Sequence, residues 1–328
     1  MKKAKVFFSS ARSIKWNFNY SLPAKLEELL RRANLKEIIK EGDYVAIKTH
    51  LGSQGAFRVV RPIFIRKIVD AVKKAGGNPF VTDTVRINGL EYLEVANYHG
   101  FNYSSLSAPV IIADGIFGKD SVKVDSGEPL GEVCIASSIY YADSMVVVTH
   151  VKGHVQCGYA GAIKNVSMGC ISAEGREKGW REGRGKLHMR EFKPLKFYKK
   201  RCSHCKQCFD VCEYSAIEWI EDSPHINYGL CVRCGRCSRV CPEKALVLPA
   251  IEEEFQKSLA QGAKAVLKTF EEGKVLYINF LLEIQPECDC MPIADTPVVQ
   301  DQGILLSNDL VAIEQASLDL INNAEPLP

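Results

Sequence analysis

The chain has 328 residues, 46% of them apolar, and a net charge of only +3. That is enough for a large buried core and argues against a whole-chain electrostatic binder of nucleic acid. No window approaches the ~18 consecutive apolar residues of a membrane span.

In chain order, the segment MKKAKVFFSSARS opens the sequence. Its apolar run stops after three residues, short of the ~7–15 of a signal peptide, so a cytoplasmic protein is expected. KVFFSS, 5–10, reads as a strand, and 22–33 has helical spacing. YVAIKTH, 44–50, is a strand, and 61–75 a helix ended by Gly76-Gly77. PFVTDT, 79–84, and PVIIADG, 109–115, are further strands, with a short helix over 91–100 between them. SMVVVTH, 144–150, is a strand, and 160–168 reads as a helix. The segment 176–201 carries eleven Lys or Arg against three Glu; it reads as a solvated linker, or as a docking face for an acidic partner or phosphates. A long helix follows over 251–270, then the strand KVLYINFLLEI, 274–284, and a last helix over 308–321. Strands that are continuous apolar runs and alternate with helices predict an α/β fold, a mainly parallel sheet with helices on both faces.

Thirteen cysteines in a reducing compartment point to metal or redox chemistry rather than disulfides. Eight form two matched runs. CSHCKQCFDVC holds Cys202, Cys205, Cys208 and Cys212; CVRCGRCSRVCP holds Cys231, Cys234, Cys237 and Cys241. Both have the spacing C-x2-C-x2-C-x3-C, 29 residues apart, with Ala216 matching Ala245 and Ile217 matching Leu246. This is an internal repeat. A zinc ribbon would use two C-x2-C pairs, and two tripled runs suit iron–sulfur cubanes better. The segment resembles a bacterial-type two-cluster ferredoxin. Carried over, Cys202, Cys205, Cys208 and Cys241 hold one [4Fe-4S] cluster; Cys231, Cys234, Cys237 and Cys212 hold the other. Glu213 stands where that family often has proline. His204 reads as a surface residue or a donor to a cluster sulfur. The expected organisation is residues 1–190 and 251–328 as two parts of one α/β domain, with an inserted α+β ferredoxin-type module over 191–250.

In such a sheet, ligands bind beyond the carboxyl ends of the strands. Those ends carry Lys48-Thr49-His50, Asp83, Thr149-His150 and, after the strand at 274–284, Glu283 and Cys288-Asp289-Cys290. The stretch THVKGHVQCG adds Lys152, His154 and Cys157. His150, His154 and Cys157 have helical i, i+4, i+7 spacing, but the valines before them favour strand, and Gly153 and Gly158 favour a loop over the sheet edge. An ordinary polar loop is the plain alternative. Next come Gly158 and Gly161, a helix start near Gly161 offering free N–H groups to an anion, and Lys164 and Asn165. Cys288 and Cys290, at i and i+2 of an extended segment, would point the same way; alternatively they are small buried hydrophobes. Cys134 and Cys170 read as core.

YVAIKTHLG, THVKGHVQCGYAGAIKNVSMG and CDCMPIADTPVVQDQGILLSNDLVAIEQASLDLI resemble the domain-of-unknown-function family numbered 362, whose members with a ferredoxin insertion are iron–sulfur cluster-binding proteins. The resemblance spans nearly the whole chain and implies that His50, His150, His154, Lys164, Asn165, Cys288, Asp289 and Cys290 belong to family motifs, without giving them roles.

The sequence therefore leads to a ferredoxin-fused oxidoreductase. Two [4Fe-4S] clusters relay electrons from a soluble donor or acceptor to a small-molecule substrate. His50, His150, His154 and Lys164 are the candidate catalytic groups, and Lys152, Asn165, Asp83 and Asp289 the candidate substrate-binding groups. Cys157, Cys288 and Cys290 are candidate further ligands, for nickel or zinc held with the histidines. No G-x-G-x-x-G follows a strand, so a Rossmann-type nucleotide site is not expected; flavin bound by another loop stays open. The alternative is a non-catalytic electron carrier or docking protein serving a separate redox enzyme, with neither nucleic acid nor membrane as partner.

Overall fold

The computed structural model describes residues 4–85, 89–128, 130–174, 183–188, 194–231, 235–248, 252–291 and 294–328. Cys234, and the parts of the basic run at 176–182 and 189–193, lie outside them.

Along the chain, strand β1 (Phe7–Ser10) leads to helix α1 (Leu22–Arg32), β2 (Tyr44–Lys48), α2 (Pro62–Ala75), β3 (Asn78–Asp83), α3 (Gly89–Tyr98), the single turn α4 (Tyr103–Leu106) and β4 (Val110–Ile112). A hairpin, β5 (Ser121–Asp125) and β6 (Glu132–Ala136), is followed by α5 (Ser137–Tyr140) and β7 (Ser144–His150). A second hairpin, β8 (Lys152–His154) and β9 (Gly158–Ala160), leads into α6 (Ala162–Cys170) and α7 (Gly185–His188). The cysteine-rich segment holds β10 (Lys196–Phe197), α8 (Gln207–Asp210), β11 (Ile217–Ile220), β12 (Ser223–Ile226), α9 (Arg236–Val240) and β13 (Leu246–Val247). The chain then runs through α10 (Glu252–Leu267), β14 (Val275–Leu281), β15 (Gly303–Ser307) and α11 (Leu310–Asn322).

This is a mixed α/β fold around a mainly parallel sheet. Seven strands lie in the order β1-β15-β14-β7-β2-β3-β4. The pairs from β14 to β4 are all parallel; β15 runs against both its neighbours. Every residue of β7 and β14 is buried, the pattern of strands covered on both faces. Alternation along β7 divides the core. Val146 and Val148 pack with Leu29, Ile65 and Phe64 of α1 and α2. Met145 and Val147 pack with Val166, Phe255 and Leu259 of α6 and α10. Gly262 lets α10 cross α6 closely, because a Cβ there would stand 2.5 Å from Ser167 Oγ.

Local signals place the helices. Pro62 at the first turn and left-handed Gly76 (φ 104°) bracket α2. Asp309 caps α11 by accepting the Ala312 N–H at 2.8 Å. Several expectations needed correction. The strand of 109–115 shortens to Val110–Ile112, and that of 44–50 ends at Lys48, where the chain turns to seat Thr49 and His50. The polar stretch after β7 is neither helix nor open loop but the β8–β9 hairpin. The strand β15 and the β5–β6 hairpin were not anticipated.

Candidate functional site

The carboxyl ends of β2, β3 and β7 lie side by side, and the chain after β14 folds back over them. On the β2 side, buried Asp83 accepts Lys48 Nζ at 2.9 Å on one oxygen, and His50 Nδ1 at 3.0 Å and Tyr92 OH at 2.6 Å on the other. Burial alone would push the Asp83 carboxyl up; Lys48, His50 and Tyr92 outweigh it and hold the group well below the ordinary value. Lys48 also donates to Asn165 Oδ1 at 2.7 Å, and Asn165 donates to Val148 O and Thr149 Oγ1 at 2.9 and 3.0 Å. Lys48 and Asn165 thereby fasten β2, β7 and α6 together. Gly169 on α6 makes the room, since a Cβ there would collide with the lysine tip.

The β7 side repeats the arrangement with different residues. Buried Asp289 takes His150 Nδ1 at 2.8 Å on one oxygen and Lys152 Nζ at 2.7 Å on the other. Burial raises this carboxyl too, and His150 and Lys152 bring it below its ordinary value. His150 Nε2 lies 2.8 Å from Leu282 O. Both ring nitrogens thus lie against oxygen atoms, one a carboxylate and one a backbone carbonyl. Lys152 Nζ also donates to His150 O at 2.8 Å. Gly153 fixes the hairpin against the segment that brings Asp289, because a Cβ there would strike Pro286 O.

Two cysteines border the same crevice. The segment expected to be extended is a turn, closed by the Met291 N–H to Cys288 O at 2.8 Å, and it presents Cys288, Asp289 and Cys290 to one crevice. Lys164 Nζ lies 3.3 Å from Cys288 Sγ. His154 accepts the N–H groups of Gln156 and Cys157 on Nδ1, at 3.1 and 3.3 Å, which leaves its other ring nitrogen for Cys288. The Cys290 hydrogen bond, opposed by burial and aided by Lys164 and His154, holds the Cys288 thiol well below the usual range. Burial pushes Lys164 down, but Cys288 and Cys290 more than compensate and raise it. Burial lowers His154, with Lys164 adding to the shift.

The same crevice is lined by His50, Arg184 and His188. His50 Nε2 and His188 Nδ1 are buried without a hydrogen-bond partner among the described residues. His188 stacks on Phe255 at 4.4 Å, and burial depresses it to about 3, so it is neutral. Arg184 donates to Thr84 Oγ1 at 3.0 Å and Val85 O at 2.5 Å. Sequence reasoning missed Tyr92, Arg184 and His188. The two last sit in the basic run, where composition suggests a solvated linker.

His50, Asp83, His150, Lys152, His154, Lys164, Asn165, Cys288, Asp289 and Cys290 all border this one crevice. Cys157 does not: it is buried in the turn of the β8–β9 hairpin, its Sγ 3.1 Å from Tyr159 O, and burial pushes its thiol up to about 11. Glu283 turns outward to Arg61 at 2.7 Å. The helix start at Gly161 is not open to an anion. Glu314 of α11 already fills it, accepting Ala162 N–H at 2.7 Å and Ile163 N–H at 3.4 Å. Cys134 and Cys170 are buried, as expected.

In the cysteine-rich segment the 29-residue repeat is also geometric. Helices α8 and α9 start at equivalent positions and pack together, each preceded by a left-handed residue, Lys206 (φ 60°) and Gly235 (φ 79°). Ala216 N–H donates to Cys212 Sγ at 3.3 Å, and Ala245 N–H to Cys241 Sγ at 3.2 Å. Cys212, Cys231 and Cys237 border one small cavity with Leu195, Ile217 and Ile226. Burial raises the Cys208 thiol, and Cys241 and Cys202 lie close enough to raise it further. Cys205 is exposed. His204 is exposed too, its Nδ1 2.7 Å from Asp222 O. Tyr214 and Arg236, from this segment, also line the crevice. Among the described residues, no three His, Cys, Asp or Glu side chains converge so as to hold a single metal ion, in the crevice or in the cysteine-rich segment. Nor is any helix among them long and apolar enough to cross a membrane.

Fold and site define a mixed α/β protein with a crevice of paired charges at the sheet's carboxyl edge, next to a repeated cysteine segment. Residues 45–319 match the family described as domain of unknown function (DUF362), and the chain belongs to that family. A thylakoid-associated protein of Synechocystis is 25% identical over 164 residues, 49% of each chain. An uncharacterized ferredoxin of Methanocaldococcus jannaschii is 37% identical over 49 residues, 14% of this chain and 30% of its own. The matches thus span about half and less than a third of these relatives. The lactate racemase apoprotein of Thermoanaerobacterium thermosaccharolyticum superposes with a TM-score of 0.35 at 12% identity, covering 78% of this chain and 49% of that one, too low a likeness to argue from.

Proposed function

We propose that the protein is an iron–sulfur oxidoreductase: a two-cluster module over residues 191–250, inserted into an α/β domain made of 1–190 and 251–328, serves a small-molecule site in the crevice. The observation that carries this reading is that Tyr214 and Arg236, neighbours of Cys212 and Cys237, form part of the crevice wall. Cys231, Cys234, Cys237 and Cys212 would hold the [4Fe-4S] cluster nearer the crevice, and Cys202, Cys205, Cys208 and Cys241 the other. The cavity bordered by Cys212, Cys231 and Cys237, the nearness of Cys208 to Cys202 and Cys241, and the paired N–H donors to Cys212 and Cys241 fit that assignment. The ferredoxin among the relatives supports it in kind. When bound, such clusters supply single electrons.

The chain's own residues divide the remaining work. Asp83 accepts a hydrogen bond from His50 Nδ1–H, which fixes the tautomer and leaves the unpartnered Nε2 as base, or as acid once protonated. His150, Lys152 and Asp289 form a closed triad that holds the Cys288 turn in place, and Lys48 and Asn165 brace the floor. Lys164 and Arg184 place positive charge where a substrate would lie. A cytoplasmic location and a soluble electron donor or acceptor belong to this proposal. The exposed Cys205, flanked by exposed Lys199, Lys200, Arg201 and Lys206, would face that partner. The same surface would serve a carrier without chemistry of its own.

The experiment is a redox titration followed by electron paramagnetic resonance, on wild type and Arg236→Gln. Losing a cation beside Cys237 disfavours the reduced state, so one midpoint potential is expected to fall by on the order of tens of millivolts while the other stays. Equal shifts in both, or none, would defeat the placement.

A further inference from the structure

Most polar groups of the crevice are committed to each other; Cys288 is not explained by electron transfer or by scaffolding. Its surroundings are those of an anion. Lys164 of α6 stands 3.3 Å from Sγ, His154 of β8 directs a ring nitrogen to it, and Cys290 hydrogen-bonds to it from the same turn. Asp289, the next residue, is held by His150 and Lys152; two further titratable neighbours among the described residues are Cys157 of the hairpin and His188 of α7. The first keeps its proton and the second is neutral, so neither opposes a negative sulfur. A structural cysteine has the opposite setting: burial raises the thiols of Cys134, Cys157 and Cys170. The crevice wall carries Lys48, Lys152, Lys164, Arg184 and Arg236 against Asp83 and Asp289, and Glu213 pairs with Arg236; the net charge is still positive, which draws in anions.

We propose that Cys288 is the nucleophile of this crevice and that its substrate is an anion bearing an electrophilic carbonyl carbon. The sulfur donates its electron pair to that carbon, forming a C–S bond. The C=O π pair moves to oxygen, which takes a proton from the Lys164 ammonium. Atoms and charge balance without an oxidant or reductant, and reversal regenerates the thiolate. The inference rests on the crevice being the substrate site and not on the clusters.

The test uses the full chain, purified without oxygen, with iodoacetate and iodoacetamide as probes near neutral pH and mass spectrometry to map each site. Alkylation joins sulfur to the probe's methylene carbon and expels iodide. Cys288 is expected to react at least ~10-fold faster than Cys134, Cys157 and Cys170, because only the thiolate attacks. Lys164→Gln is expected to slow Cys288 by roughly tenfold, and Lys164→Arg to restore most of the rate. Iodoacetate is expected to outpace iodoacetamide at Cys288. A Cys288 no faster than the buried thiols overturns the proposal on wild type alone, whether or not the variants fold. Indifference to Lys164→Gln overturns the role of the lysine, and a preference for iodoacetamide overturns the anionic substrate. Iron-loaded protein with inert Cys288 defeats this inference alone. Iron-free protein with reactive Cys288 supports it and defeats the iron–sulfur reading.

Discussion

Replacing Lys48 by methionine would remove the charge beneath the crevice while nearly keeping its volume. Lys48 is 1% exposed and Asp83 5%, and Nζ and Oδ1 are 2.9 Å apart. Breaking a buried pair by deleting one partner costs roughly 3–5 kcal/mol. His50 and Tyr92 still reach Asp83, so a loss near about 3 kcal/mol is expected at neutral pH. The assay is urea unfolding of wild type, Lys48→Met, Asp83→Asn and the double variant. Groups in direct contact couple by ~0.5–3 kcal/mol, and the double variant should cost less than the sum by an amount near the top of that range. The pH dependence has a definite sign. Burial alone would raise Asp83, but Lys48 and its hydrogen bonds hold it low. A depressed acid contributes stability that is present above its unfolded value, about 3.9, and is lost as the pH falls below it. The gap between wild type and Lys48→Met should therefore be widest near neutrality and narrow as the pH drops toward about 4 and beneath. A cost under about 1 kcal/mol, strict additivity, or a gap that ignores pH would refute the idea of a charge-held floor.

Three further outcomes follow from the same geometry. Gly169→Ala forces a methyl against the tip of Lys48 and should lower unfolding stability by about 1–3 kcal/mol, less than Lys48→Met because the lysine can bend aside. Gly153→Ala meets Pro286 O, backbone that cannot rotate away, so a comparable loss should come with slower alkylation of Cys288 as the turn shifts. Glu314 is raised by burial, against the N–H groups of α6; a raised acid contributes stability present below its unfolded value and lost as pH rises through the folded one. Wild type should therefore lose stability relative to Glu314→Gln between acid and alkaline pH, and Glu314→Ala, which uncaps α6, should cost ~1 kcal/mol or more throughout, both read by urea unfolding.

The main strands and helices were legible because their signals are local. A run of valines ending in Thr149-His150 can hardly be other than a buried strand, and Pro62 and Gly76 bracket α2 by their own backbone limits. The sheet-edge rule then placed Asp83, His50 and His150 together without knowledge of strand order. What the residues do there was less visible. Asn165 looks like a substrate contact in sequence, and only the distances show that its hydrogen bonds, with those of Lys48, are spent on bracing β2, β7 and α6. Glu314 looks like a solvent-facing acid of an amphipathic helix, yet α11 delivers it to the start of α6, where a bound anion was expected. Strand β15 escaped notice because GILLS is five residues long and follows a loop of no clear period. Its reversed direction is a matter of topology. Tyr92 and His188 carry no motif at all; they reach the crevice because α3 begins and α7 ends beside it.

The central claim is tested most directly by iron and acid-labile sulfide analysis of protein purified under anaerobic conditions. The account predicts about eight irons and as many sulfides per chain, two cubanes' worth. Zinc in place of iron, or a chain that binds neither, would contradict it.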